Sequence, residues 1–333
     1  MNRRDVLIGG GLTTAAAALA NQLPSRAASP QSADRPLRTA SFWPDGIRMP
    51  ISLSMMFESG GQSRFGASTP FSNFSPEEDI YDLPTITWYR YGVTEGIPRA
   101  LDMLARLKIS MTSHMTGLAV ETYPDIARSI VQGGHEAAAH GWDWSNQSGM
   151  TDEQERAFIQ RNVDVIRKVT GQTPVGYNAP GLRGSRNILS NLHDLGFKYH
   201  IDDVSRDEPF MVQIDAKRDI AVVPYTVYLN DIRAYESRFM TDAGYLDNIK
   251  RSFDQLYRES ASRRRMLSIA IHDRLFRPEH ALTMEEALRY MLKQPGVAFM
   301  KKVDIANYIS RAKDAIREPI GVVYPTIPGL YRG

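Results

Sequence analysis

From about residue 42 the chain alternates short apolar runs with amphipathic stretches. The runs are Ile51–Phe57, Ile109–Met115, Glu136–Ala139, Val175–Tyr177, Tyr199–Ile201, Ile220–Val227, Met266–Ile271 and Val297–Met300. Short, near-continuous apolar runs of this kind suit buried strands. Between them apolar residues recur at helical spacing. Thr94–Leu107 places Ile97, Leu101, Leu104 and Leu107 on one face, and Thr151–Val169 places Phe158, Val163, Ile166 and Val169 behind a capping box of Thr151 and Gln154. Further helices are predicted over Ser185–Leu195, Asp242–Leu256 and Thr283–Leu292, the last with Thr283 and Glu286 as a second box. Strand alternating with helix, with no hairpin signal, predicts an α/β fold whose mostly parallel sheet is covered by helices. Roughly seven or eight such units predict closure into a (β/α) barrel, a single domain over residues 42–317.

The first 27 residues read differently. Arg3-Arg4 precedes an uncharged, Gly- and Ala-rich stretch from Val6 to Asn21, and Ser25-Arg26-Ala27 supplies a small-x-small cleavage site. This predicts a twin-arginine export signal and a periplasmic or secreted protein. The apolar stretch is too short and too weakly hydrophobic to predict a stable membrane span. Residues 28–41 read as a disordered lead-in, residues 63–84 as a lid, and residues 318–333, with Pro319, Pro325 and Pro328, as an irregular tail.

Composition narrows the chemistry. With 42% hydrophobic and 23% charged residues the chain is an ordinary globular one. Its formal charge of +2 resides in residues 1–27, which hold three arginines and one aspartate, so the remainder carries 37 basic and 37 acidic residues. No basic stripe is present, and nucleic acid is not an expected partner. The absence of cysteine excludes a disulfide framework, a thiolate metal site and a cysteine nucleophile, so any metal would need His, Asp or Glu. The run Arg263-Arg264-Arg265 reads as a solvated helix end.

In barrels of this kind the functional side chains stand where strands end. Those places hold Glu58, His140, Asn178, Asp202-Asp203, Asn230-Asp231 and His272. Asp and Asn also end strands as turn formers and caps. Glu58, His140 and His272 have less intrinsic reason to be there.

Phe57-Glu58-Ser59-Gly60-Gly61, Gly134-His135-Glu136 running into His140-Gly141-Trp142, Tyr177-Asn178-Ala179-Pro180-Gly181 and Ile271-His272 followed by Arg277-Pro278 together resemble the polysaccharide deacetylase superfamily. Trp43-Pro44-Asp45-Gly46, His140-Gly141-Trp142 and Pro224-Tyr225-Thr226 before Asn230-Asp231 resemble the branch of metal-light allantoinases, cyclic imide hydrolases and related peptidoglycan deacetylases. The resemblance spans roughly residues 42–310 and implies a distorted (β/α) barrel that hydrolyses carbon–nitrogen bonds. It implies Glu58 as water-activating base, His272 as acid or oxyanion donor, and His140 at the position of the first metal histidine. His140, Trp142, Asn178, Asn230 and Asp231 are then the expected substrate-binding residues. It also implies a homo-oligomer, with the tail wrapping a neighbouring subunit.

The family's other metal positions are altered. The carboxylate ligand is Ser59, the second histidine is Trp144 beside Asp143, and the arginine that orients the base is Asn178. A catalytic zinc site wants three protein ligands. The expectation is therefore no cofactor, or a divalent metal such as zinc weakly held through His140. Three readings follow. One is a hydrolase of a small linear or cyclic amide, imide or ureide. A second is a glycan or peptidoglycan N-deacetylase. The third is a non-catalytic relative that stacks a sugar on Trp142, Trp144, Trp88, Tyr89 and Tyr91.

Overall fold

The computed structural model describes residues 42–62, 69–71 and 81–325. The expected export signal, the lead-in, most of the expected lid and the last residues of the tail lie outside these. The first half comprises β1 Met49–Phe57, α1 Leu83–Tyr91, α2 Ile97–Leu107, β2 Thr112–Met115, α3 Gly117–Thr122, α4 Pro124–Gln132, β3 Glu136–Ala139, α5 Asp152–Thr170, β4 Gly176–Tyr177 and α6 Ile188–Asp194. The second comprises β5 Tyr199–His200, β6 Phe210–Gln213, β7 Asp219–Val222, α7 Asp242–Glu259, β8 Leu267–His272, α8 Pro278–Leu292, β9 Val297–Phe299, α9 Lys302–Arg311, β10 Arg317–Pro319 and α10 Ile320–Val323. Among the described residues no helix is long and apolar enough to cross a membrane.

The strands form one ten-stranded sheet in the order β10-β6-β7-β5-β4-β3-β2-β1-β8, with β9 against the start of β1. From β8 through β1 to β5 and β7 every pairing is parallel. The ladder is open between β7 and β8. That gap is spanned by a parallel bridge between Asn230 and Ala270 and by the Ser268 hydroxyl, which donates to the Pro224 carbonyl at 2.7 Å. The result is the α/β arrangement that the alternation predicts, distorted where the ring is stitched instead of laddered.

Alternation along β1 sorts the two sides of the wall. Met49, Ile51, Leu53, Met55 and Phe57 join the large apolar cluster packed against the helices, whereas Ser52 and Ser54 are buried on the opposite face. Each fully buried Leu, Ile or Phe stabilises by about 1.5–3 kcal/mol. The barrel interior is polar at its lower end. Tyr199 crosses to donate to Glu136 at 2.8 Å, and a side chain at Gly176 would collide with its ring. Thr112 donates to the same carboxylate at 2.7 Å. The first turn of α9 closes the floor: the Lys302 amide donates to Thr112, the Val303 amide to Glu136, and Lys302 Nζ lies 3.0 Å from the Ser52 hydroxyl.

Several expectations change. The structure contains a hairpin, β6 with β7, antiparallel over Phe210–Gln213 and Asp219–Val222. Its turn has no glycine; instead Asp215 accepts from the Lys217 and Arg218 amides, an Asx-type turn. The Thr151–Gln154 capping box is present, but Thr283 lies inside α8 and donates to the Glu279 carbonyl. Pro278 in the first turn starts that helix instead. The stretch before α2 is a π-helical turn, Gly92–Gly96, preceded by α1, which contains Leu83 and Pro84 of the expected lid. The expected irregular tail begins as β10, paired with β6, and as α10. Arg264 and Arg265 are buried, Arg264 on Asp314 and Arg265 on Glu259 and Glu208.

Candidate active site

The C-terminal ends of β1, β3 and β8 bring Glu58, His140 and His272 together. β1 ends at Phe57, and the Glu58 and Ser59 amides both donate to the Asp273 carboxylate, at 3.0 and 2.8 Å. That carboxylate, one residue past β8, locks the end of β1 to its neighbour. Gly60, at φ 101°, then turns the chain away.

His140 is held by its backbone and both ring nitrogens. Its amide donates to the Met115 carbonyl and the Asn162 side chain. Nδ1 lies 2.8 Å from the Asn178 carbonyl, which can only accept, so Nδ1 carries a proton. Nε2 lies 3.0 Å from Glu58 Oε1, within hydrogen-bond distance. On the opposite side, His272 Nδ1 meets Asp231 Oδ1 at 2.6 Å, and the His272 amide donates to the other oxygen of Asp231 at 2.7 Å. This fixes the ring so that Nε2 faces Glu58 Oε2 at 3.8 Å. Burial pushes His272 toward the neutral form, but Asp231 and Glu58 outweigh it and raise its pKa above the usual value.

The second oxygen of Glu58 is taken by a residue that sequence reasoning missed. Arg274 Nη1 lies 2.7 Å from Oε2, and the arginine is buried. Its guanidinium carbon sits 5.1 Å from the ring centroids of both Tyr89 and Trp144. Cation–π contacts are worth about 2 kcal/mol when desolvated. Burial alone would raise the Glu58 pKa; His272, the hydrogen bond from His140 and Arg274 instead hold it well below the carboxylate range. The signal was the Asp273-Arg274 pair directly after His272, hidden because an arginine cannot be a metal ligand.

The other expected residues divide. Asn178 accepts from His140 through its carbonyl, while its side chain donates to Asp202 at 2.6 Å. Burial pushes Asp202 up to about 7 against the hydrogen bonds from Asn178 and the Ala179 amide. Asp231 orients His272, and the Asn230 side chain donates to the Tyr225 hydroxyl. These three hold the site's frame. Trp142 is not brought to Glu58; it packs on α3 and α5, with Arg161 stacked 3.3 Å from its ring centre.

A metal of the kind that the family resemblance implies does not fit these donors. Ser59 donates to the Tyr89 carbonyl at 2.5 Å, Trp144 offers an indole, and both nitrogens of His140 are committed. A divalent ion on Glu58 would also face the guanidinium of Arg274. Among the described residues no three His, Asp or Glu side chains are grouped to hold an ion.

A carboxylate between two histidines at the strand ends is an arrangement suited to acid–base chemistry on water and a leaving group. Residues 85–200 match a family model described as polysaccharide deacetylase. The matched stretch includes His140 and Asn178 but neither Glu58 nor His272. A Helicobacter pylori protein named peptidoglycan deacetylase is 28% identical over 244 residues, 64% of this chain and 83% of its own. A candidate polysaccharide deacetylase of Schizosaccharomyces pombe is 24% identical over 302 residues, covering 83% of this chain and 94% of that protein. Among solved structures, a Pseudomonas aeruginosa protein described as a polysaccharide deacetylase superposes with TM-score 0.74 and 26% identity, over 81% of this chain and 94% of that one. An allantoinase superposes with TM-score 0.73 and 24% identity, over 86% and 94%, a likeness of fold.

Proposed function

We propose that this protein hydrolyses the carbon–nitrogen bond of a small, activated amide such as a cyclic imide or ureide, with Glu58 and His272 as its proton-transfer pair. Water adds to the acyl carbon and loses a proton to Glu58. The carbon–nitrogen bond then breaks as His272 Nε2 protonates the departing nitrogen, leaving a carboxylic acid and an amine or amide. The 3.8 Å between His272 Nε2 and Glu58 Oε2 lets the proton return and resets the pair.

The observation that carries this reading is the grip on Glu58. A carboxylate held by His140 and Arg274 is a weak base, and a weak base suits a carbonyl already activated by a second carbonyl or nitrogen. A second reading, an N-deacetylase of peptidoglycan or another glycan, is favoured by the Helicobacter pylori relative and by the export that residues 1–27 lead us to propose.

A hydrolysis screen over allantoin, hydantoins, cyclic imides and N-acetylglucosamine oligomers, with and without Zn²⁺, tests both. Turnover of an imide or ureide without zinc is expected, and Glu58→Gln should abolish it, a loss of about 10²–10⁴-fold. Zinc-dependent release of acetate from the oligomers alone would replace the first reading with the second.

A further inference from the structure

The two altered ligand positions both bear on one buried guanidinium, Trp144 directly and Ser59 through Tyr89. Trp144 presents its ring to Arg274, and Tyr89 closes the other contact at the same distance, their rings edge to face at 5.8 Å. Ser59, at the position of the lost carboxylate ligand, ties down the carbonyl of Tyr89. The approach of this helix is close: a side chain at Gly92 would meet the Ser59 hydroxyl at 2.3 Å and the Asp273 carboxyl at 2.8 Å. The substitutions that dismantle a metal site therefore build a cage for a cation. Two donors in that cage are buried with no partner among the described residues, Arg274 Nε and Trp144 Nε1. A buried donor left unpaired is costly, and it points to an acceptor brought by a ligand.

We infer that Arg274 is the resident cation of this site, supplying the positive charge that a divalent metal would otherwise bring, and that Arg274 Nε and Trp144 Nε1 receive the oxygens of a dicarbonyl substrate. Arg274 holds Glu58 in place through Nη1 and offers Nε to the carbonyl oxygen, where negative charge develops as water adds. Trp144 Nε1 suits the second carbonyl of an imide or ureide. This rests on Glu58 being the water-activating group.

The test compares full-length wild type, Glu58→Gln, Arg274→Ala, Arg274→Lys and Trp144→Phe, by calorimetric titration with zinc chloride and by kinetics on an imide or ureide. Arg274→Ala should lose about 10²–10³-fold in kcat, the loss seen when a buried oxyanion donor is removed. Added guanidinium chloride, but not sodium chloride, should restore part of it. The same variant should bind Zn²⁺ more tightly than wild type, because the competing charge is gone. Trp144→Phe should raise KM more than it lowers kcat. Should Arg274→Ala fail to fold, Arg274→Lys decides by keeping measurable turnover and excluding zinc as wild type does. Tight uptake of one equivalent of zinc by wild type overturns the inference, as does undiminished turnover by Arg274→Ala. Full turnover by Glu58→Gln would sink the water-activating reading instead. Where wild type turns nothing over, the zinc titrations still decide the role of Arg274.

Discussion

At the mouth of the barrel Glu58, and at its floor Glu136, are each 6% exposed, yet their surroundings move them in opposite directions. Glu136 accepts from Thr112, Tyr199 and the Val303 amide, and its pKa is still raised, because burial outweighs neutral donors and the more distant Lys302. Glu58 has fewer hydrogen bonds and is lowered, because positively charged groups touch or face it. At equal burial, the charge of His272, the hydrogen bond from His140 and the charge of Arg274 together decide the sign where a count of hydrogen bonds does not. The floor resembles a structural plug, with charges muted by burial; Lys302 is pushed down to about 7. The mouth keeps its charges alive.

Removing a cation from each end should separate the two most sharply. Arg274→Met strands a buried carboxylate and should cost about 3–5 kcal/mol in urea unfolding at pH 7, whereas Lys302→Met should stay within about 1 kcal/mol of wild type or stabilise. Equal losses would break the comparison. Next in size, Asp231→Asn should leave the fold intact and reduce kcat about 100-fold by releasing the His272 ring. A kcat within twofold of wild type would remove Asp231 from the machinery.

The smallest effect lies in the pH dependence of stability, which changes by at most about 1.4 kcal/mol per pH unit for each group. Glu58, lowered from 4.5, contributes stability that is present above that value and lost on acidification. Glu136, raised from 4.5, contributes stability that is present below that value and lost as pH rises through its folded pKa. Glu58→Gln should therefore flatten the acid limb, and Glu136→Gln the decline above it, in urea melts across pH 3 to 8. Interchanged effects would show the assignment to be reversed.

How much of this the sequence made legible depended on the kind of signal. β3 was read at its true limits because Glu136–Ala139 is bracketed by Gly133-Gly134 and His140. The start of α5 was read from Thr151 and Gln154, where side chain and backbone bond reciprocally. The pair Thr283 and Glu286 fits the same capping-box pattern without the geometry, since Pro278 has already begun the helix. The β6–β7 hairpin was hidden because Asp215, not glycine, makes its turn. Glu58, His140 and His272 were visible as ionisable residues ending apolar runs. Arg274 was not, because its meaning depends on Tyr89 and Trp144, which approach only through the fold. Trp142 was misplaced for the converse reason: adjacency to His140 in sequence did not survive the turn at Gly141, which has φ 69°.

The Tyr199–Glu136–Lys302 plug has a consequence for traffic. With its lower end filled, the barrel is a cup with one rim, so substrate, the consumed water and product must cross the same side. Products then compete with incoming substrate for passage as well as for the site. A polymer could offer only a side group or a chain end at the rim, never thread through.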